Sequence, residues 1–315
     1  KSLLISAGQK VRQEMEALMR KNKTMIVCFM LPAVLTLVFM YLYPIIRTVI
    51  MSFFHVESVT ASTSTWSFNG LTNYIDLFNT SIFRTSMWNI FKIWLIGGVI
   101  TMFFALLFAV ILTSGVRFKN FFRAAIYLPN VISAVAMAAM WRYYVFNARF
   151  GFLNSVTEFF GGDAVNWLDT NHIFNSMLIA YCFGSVGYFM LIFLSGIERI
   201  PSDIYEAARI DGTNSIQKFR YITLPLLRGV FKTNITFWSV STLTFFVWTK
   251  MFSPTETETT TVVPVVYLYN VVFGSKGVTQ VDAGRGAAIG VSLAICMVIV
   301  FVVMNRLVKD DDLEF

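Results

Sequence analysis

The stretch Glu206–Pro225 reads EAARIDGTNSIQKFRYITLP and lies between two long apolar runs. It carries Glu206, Arg209, Asp211, Lys218 and Arg220. Charges at that density do not sit in a bilayer, where each costs several kcal/mol. The segment is therefore expected in water, in a chain otherwise mostly embedded in lipid. Its pattern predicts two short helices joined at a glycine. Asp203, with Glu206 three residues on, is placed to cap the first. Gly212 suits the position just past its end, where a left-handed backbone is needed. Asn214 and Gln217 repeat the cap for a second helix, whose Ile216, Phe219 and Ile222 share a face. Pro225 stops that helix and can open the next. On pattern alone two readings stand: a polar loop between membrane helices, or an element structured for a soluble partner to grip.

Composition supports the membrane setting. Of 315 residues 56% are apolar and only 14% charged, against about 25% charged in a soluble domain; the mean hydropathy is +0.65. The net charge of +7 sits in short loops between apolar runs. It reads as topology signal and affinity for anionic headgroups, not as a nucleic-acid surface. Cys28, Cys182 and Cys296 lie in separate apolar runs without CxxC spacing, and are expected as small packers. His55 and His172 have no partner at metal-ligand spacing, so no metal site is expected. The chain begins at Lys1, and its basic leader precedes a span too long for a signal-peptide core. No cleaved signal is expected.

Six spans are predicted, near Met25–Ile46, Asn89–Leu112, Phe121–Phe146, Phe174–Ile197, Leu226–Lys250 and Ala287–Leu307. Each has about the 20 residues needed to cross. Pro32 and Pro129 are tolerated where neighbours satisfy the freed carbonyls. Gly97, Gly98 and the small residues of Ser133–Ala139 allow close helix contact. The run Val262–Phe273 is too short to cross and reads as interfacial or re-entrant. The basic segment 1–24 holds a possible surface helix around Glu14 and Leu18, and 308–315 is a polar tail. With the N-terminus inside, 17 of the 25 Lys and Arg lie on the inner side. That bias puts both termini and the Glu206–Pro225 segment in the cytoplasm.

Glu206, Ala207, Ala208, Gly212, Ile222, Leu224 and Pro225 match E-A-A-x3-G-x9-I-x-L-P without a gap. This resembles the EAA signature of permease subunits of binding-protein-dependent ABC importers. Ile200–Asp203, Asp211–Gly212, Asn73–Tyr74 and Tyr127–Pro129 are similar to the carbohydrate branch, the maltose and glycerol-3-phosphate type. A departure is Gly229–Val230, where members often carry another proline; it bears on the local bend of the fifth span. The resemblance implies an all-α membrane permease domain over 25–307, with residues 198–225 as the coupling segment seated in a separate ATPase subunit. Glu206 would be the polar contact, Ala207 and Ala208 the small face, and Asp211 and Gly212 the turn. Ile222, Leu224 and Pro225 would complete the motif. It implies a second, similar permease in a heterodimer, two ATPase subunits holding ATP and Mg, and an extracytoplasmic sugar-binding protein. The setting is the plasma membrane, and this chain needs no cofactor of its own.

The fifth span is polar for its depth. Trp238, Ser241, Thr242 and Phe245 fall on one face, and Tyr181, Ser185 and Tyr188 share a face of the fourth. Aromatic faces with hydroxyls suit a sugar, which stacks and hydrogen-bonds. The same residues could equally glue helices together. No predicted span contains Asp or Glu, which counts against the alternative of an ion-coupled secondary carrier. There is no filter-like motif for a channel. No catalytic constellation and no GxxxxGK[ST] is present, so ATP hydrolysis belongs to another chain and this one is not an enzyme.

Overall fold

The computed structural model describes residues 25–253, 259–274 and 281–307. The expected N-terminal surface helix and the polar tail lie outside the described residues. Apart from a two-residue hairpin, β1 (Phe54–His55) with β2 (Ser67–Phe68), the regular structure there is helical.

Helix α1 (Met25–Met51) is strongly apolar and none of its most apolar stretch is buried. The hairpin follows, then α2 (Thr72–Asn79) and the long α3 (Ser81–Thr113). The third expected span is not one rod. It is α4 (Lys119–Val131) and α5 (Ala134–Val145), bent by 98°. Pro129 lies inside α4, but the break comes later. Ile132 is extended, and Ser133 caps α5 by accepting from the Ala136 N–H at 3.3 Å. A short polar side chain competing for backbone groups ends the helix where proline alone did not.

The loop after α5 carries α6 (Phe152–Phe159) and is organised by buried Asn154. Its amide donates to Ala148 O and Val165 O, and its carbonyl accepts from Val165 N and Trp167 Nε1. Asp169 then starts the next helix, accepting from the His172 N–H at 2.9 Å and facing His172 Nδ1 at 2.7 Å. The His172 hydrogen bond pulls the Asp169 carboxyl below its ordinary pKa.

Helix α7 (Ile173–Glu198) is the hub of the bundle, with two thirds of its apolar stretch buried. It contributes to the largest core cluster from Ile173 to Ile197. A Cβ on Gly187 would lie 2.4 Å from Ile126 O, so α4 and α7 touch backbone to backbone. The expected close approach at Gly97–Gly98 is also present: Cβ atoms there would lie 2.9 Å from Leu178 and 2.7 Å from Trp238 Nε1.

The expected fifth span is broken. Helix α8 (Ser202–Ile210) and the helical run 215–226, here α9, lead to α10 (Arg228–Leu243), then α11 (Val247–Phe252). A kink at Leu227 separates α9 from α10 without any proline at 229–230. Helix α12 (Pro264–Phe273) is the short apolar run expected not to cross; it packs on α3 and on α13 (Ala283–Leu307). Asn89 of α3 ties down the approach to α12, its amide lying 2.9 Å from Val262 O and 3.1 Å from Thr260 O. Asn73 clamps the end of α1, donating to Ser52 O and Phe54 O. Arg285 of α13 lies 3.7 Å from Asp76 of α2.

By length and composition, four helices among the described residues can cross a membrane: α1, α3, α7 and α13. The bent α4–α5 pair makes a fifth. The one expected crossing left, the fifth, α10 with α11, fails that measure because it is short, polar and interrupted at Thr244–Phe246.

Gly187 generates a test. Gly187→Ala forces α4 off α7 and costs about 1–3 kcal/mol, as overpacking does. Gly229→Ala meets nothing within 4 Å and leaves stability unchanged or slightly raised. Thermal unfolding midpoints of the two purified variants check the contrast.

Candidate functional sites

The Glu206–Pro225 segment is folded as a helix–glycine–helix. One expectation is corrected. Asp203 does not cap α8: the cap position is Pro201, without a side-chain bond, and Asp203 sits inside the first turn. Proline's fixed extended backbone starts the helix two residues earlier than an aspartate cap at 203 would. Asp203 there still faces the positive end of the helix dipole. Gly212 is left-handed, φ +76°. The N–H groups of Asp211, Gly212 and Thr213 turn back onto Ala207 O, Arg209 O and Ala208 O. The second cap is complete: Asn214 accepts from the Gln217 N–H and Gln217 from the Asn214 N–H, both at 2.8 Å. Pro225 does not end α9. It follows a π turn, Phe219–Thr223, in a helical stretch that runs to Leu226.

Two cross-links make the segment one body. Tyr205 Oη lies 3.0 Å from Thr223 Oγ1, and the Thr213 hydroxyl donates to Ala208 O. Ala208 is buried inside that body, whereas Glu206, Ala207, Asp211 and Gly212 face outward. Ile222, Leu224 and Pro225 are half-buried. Beside the outward face stand Ile210 and Ile216, 88% and 76% exposed. Neither was singled out as a contact from sequence, although both flank the Gly212 turn. Glu206 has no ion-pair partner among the described residues. Small, acidic and bare apolar side chains thus lie side by side on one outward face of the segment.

The second candidate site is a cavity of about 380 Å³. Tyr181, Ser185 and Tyr188 of α7 line it, with Ser241 of α10. The other three expected pathway residues stand behind that wall. Trp238 is 2% exposed; its Nε1 donates to Trp94 O at 2.8 Å, and its ring lies 5.2 Å from that of Tyr181. The carbonyl it finds belongs to a π turn in α3, Ile93–Gly97, whose looser geometry opens such groups to side chains. Phe245 meets Tyr181 edge-on at 4.8 Å, and Thr242 is fully buried.

The opposite wall comes from the α4–α5 bend: Pro129, Asn130, Ile132, Ala134 and Met137, with Trp248 of α11 closing one side. The Asn130 amide donates to Gly184 O at 3.4 Å and so ties bend to hub. Sequence reading missed this wall because Pro129 and the small run after it were assigned to packing in a straight span. The Pro-Asn pair followed by Ser133 was the available signal for a break.

Residues 101–310 match the family model described as "binding-protein-dependent transport system inner membrane component". The chain belongs to this family of ABC importer permeases. It is 31% identical over 287 residues to the arabinooligosaccharides transport system permease protein AraP of Bacillus subtilis, covering 89% of this chain and 87% of that one. It is 28% identical to the alpha-glucoside transport system permease protein AglF of Rhizobium meliloti, covering 86% and 78%. The fold is similar to a chain of a bacterial ABC transporter involved in the import of the acidic polysaccharide alginate. The TM-score there is 0.79 at 18% identity, covering 93% of this chain and 97% of that one. As a permease of this family the chain is an inner-membrane component and not an enzyme; ATP hydrolysis belongs to a separate subunit.

The turn at Gly212 gives a prediction. A Cβ there meets nothing within 4 Å, so any cost is backbone strain. Gly212→Val loses about 1–2 kcal/mol of local stability, while Gly212→Asn keeps most of it. Limited proteolysis across 206–225 measures the difference.

Proposed function

We propose that this chain moves a sugar or oligosaccharide across the plasma membrane, as one permease of a heterodimer. The carrying observation is the cavity: two tyrosines and two serines facing the α4–α5 bend. Its volume of about 380 Å³ falls within the about 300–1,000 Å³ of small-molecule sites. Tyrosine faces stack on sugar rings, and serine hydroxyls exchange hydrogen bonds with sugar hydroxyls in either sense. Tyr181, Ser185, Tyr188 and Ser241 make these contacts in this reading. Trp238, Thr242 and Phe245 hold the Tyr181 ring in place. Relatives named for arabinooligosaccharides and alpha-glucosides support the substrate class.

Coupling is assigned to 198–225. Glu206, Ala207, Asp211 and Gly212 meet a cleft of an ATPase subunit, with Ile210 and Ile216 entering beside them. Ala208, Ile222, Leu224 and Pro225 build the body that carries that face. Two such subunits hold ATP and Mg, and an extracytoplasmic sugar-binding protein delivers the substrate. Both termini are cytoplasmic, and α10 with α11 makes the fifth of six crossings. Closure of the ATPase pair moves the coupling body, and α7 and α10 reorient around the sugar.

Two experiments test this. Glu206→Lys reverses the charge of the docking face, and ATP hydrolysis in the purified complex no longer drives uptake; wild-type uptake in that variant would sink the coupling role. Tyr188→Ala with Ser185→Ala raises the apparent KM for sugar about tenfold or more, since each lost contact is worth about 1 kcal/mol. Trp238→Ala instead costs about 3–5 kcal/mol of stability, read as a lower unfolding midpoint. Unchanged sugar affinity in the double variant would remove the cavity from the pathway.

A further inference from the structure

Asn234 lies near the middle of α10 and is 0% exposed. Neither its amide nitrogen nor its carbonyl oxygen finds a partner among the described residues. The face it occupies is packed on α7. Leu227 and Val230 sit against Gly196, the Phe231 ring lies 4.7 Å from that of Phe193, and the Trp238 ring lies 5.7 Å from that of Phe189. These pairs run antiparallel, so Asn234 falls opposite residues 190–193 of α7, where Met190 and Phe193 are themselves fully buried. A buried amide with neither group paired is destabilising. Leucine has nearly the same volume and carries no such cost, so packing does not account for an asparagine at this position.

Its place along the helix does account for it. Asn234 stands seven residues before Ser241, two turns along the same face and about 10 Å nearer the coupling segment than the cavity wall. The side chains around it on this seam are apolar, and the Trp238 indole is already bonded to Trp94 O. When α7 and α10 part to release a solute inward, Asn234 is the polar group that the parting uncovers below Ser241. A polar side chain buried at membrane depth marks a solute path more often than a packing site. Because Asn234 is enclosed within this chain, no neighbouring subunit reaches it while the seam is closed.

We propose that Asn234 is the sugar contact of the inner gate, sealed between α7 and α10 when they are together and facing the sugar when they part. Its nitrogen then donates to sugar hydroxyls and its oxygen accepts from them. The unpaired amide weakens the closed seam, and the open path satisfies it, so one side chain both eases opening and receives what opening releases. This inference rests on the sugar pathway proposed above.

The full transporter with its ATPase subunits is tested in proteoliposomes. The Asn234→Cys variant is treated with a charged thiol reagent in the nucleotide-free and vanadate-trapped states, against the complex carrying only the native cysteines. The added thiol reacts about tenfold faster or more in one state than in the other. Equal rates, or no reaction in either state, overturn the proposal. Asn234→Leu keeps the test open if the first variant does not fold. In the state that shields position 234 it raises the unfolding midpoint; a lower midpoint means that the amide is paired within the seam, and overturns the proposal. Uptake is read with radiolabelled arabinotriose and maltotriose, after the relatives' named substrates. Asn234→Leu lowers the maximal rate about tenfold, the worth of about one hydrogen bond, and leaves the apparent KM unchanged, whereas the Tyr188 and Ser185 substitutions move KM. A wild-type maximal rate in Asn234→Leu overturns the proposal. Uptake of neither sugar by the wild type overturns the sugar contact together with the pathway it rests on, and the thiol rates still decide the gate.

Discussion

The bundle depends on how closely its helices approach α7. Inside a bilayer no hydrophobic effect drives one helix onto another, because lipid is as apolar as leucine. Cohesion comes from dispersion and from hydrogen bonds made at short range. Gly187 brings the backbone of α4 within contact of α7, and Gly97–Gly98 let the Trp238 indole wedge between α3 and α10. That wedge is hydrogen-bonded to Trp94 O, and Trp94 Nε1 donates back to Ser239. The reciprocal indole pair joins α3 to α10 with two interactions that water cannot compete for.

The cavity and the segment proposed for coupling share this scaffold. Helix α7 carries Tyr181, Ser185 and Tyr188 and ends at Glu198, three residues before Pro201 opens α8. Gly196 sits against Leu227 and Val230, at the kink where α9 becomes α10. Both ends of the coupling segment are therefore anchored where the two cavity-lining helices meet. Tyr205–Thr223 and Thr213–Ala208 stiffen what lies between. In the proposed reading a push on the outward face of such a body is passed to α7 and α10 together, because only short turns at 199–201 and at Leu227 join them.

Local chemistry was the legible part. Asn214 with Gln217, the glycine at 212, and the close approach at Gly97–Gly98 each follow from rules acting over a few residues, and each is present. Asp203 misled because Pro201 had already fixed the helix start. The α4–α5 bend misled because hydropathy integrates over about 20 residues; Phe121–Phe146 is apolar enough to cross whatever its shape. Trp238 reads from sequence as a sugar platform, since it shares a helical face with Ser241. A face is an arc, however, and the cavity takes only its Ser241 edge while α3 takes the indole. That division depends on which helix stands opposite, which a single helix's periodicity cannot specify.

The polarity of α10 shows the same limit from the other side. By composition it is a poor membrane helix. Yet Thr233, Thr236, Ser239 and Thr244 each donate to a carbonyl one turn earlier in their own helix. A hydroxyl already bonded to the backbone presents mainly methyl or methylene surface, so its transfer costs less than a hydropathy scale assigns. The Asn234 amide finds no partner among the described residues, and Asn234 and Thr242 are both fully buried. The groups that lipid would penalise most are thus enclosed by protein, and the exposed Thr233 and Thr244 are satisfied internally. A helix built this way can lie in a membrane while offering to a cavity the Ser241 hydroxyl, which has no partner among the described residues.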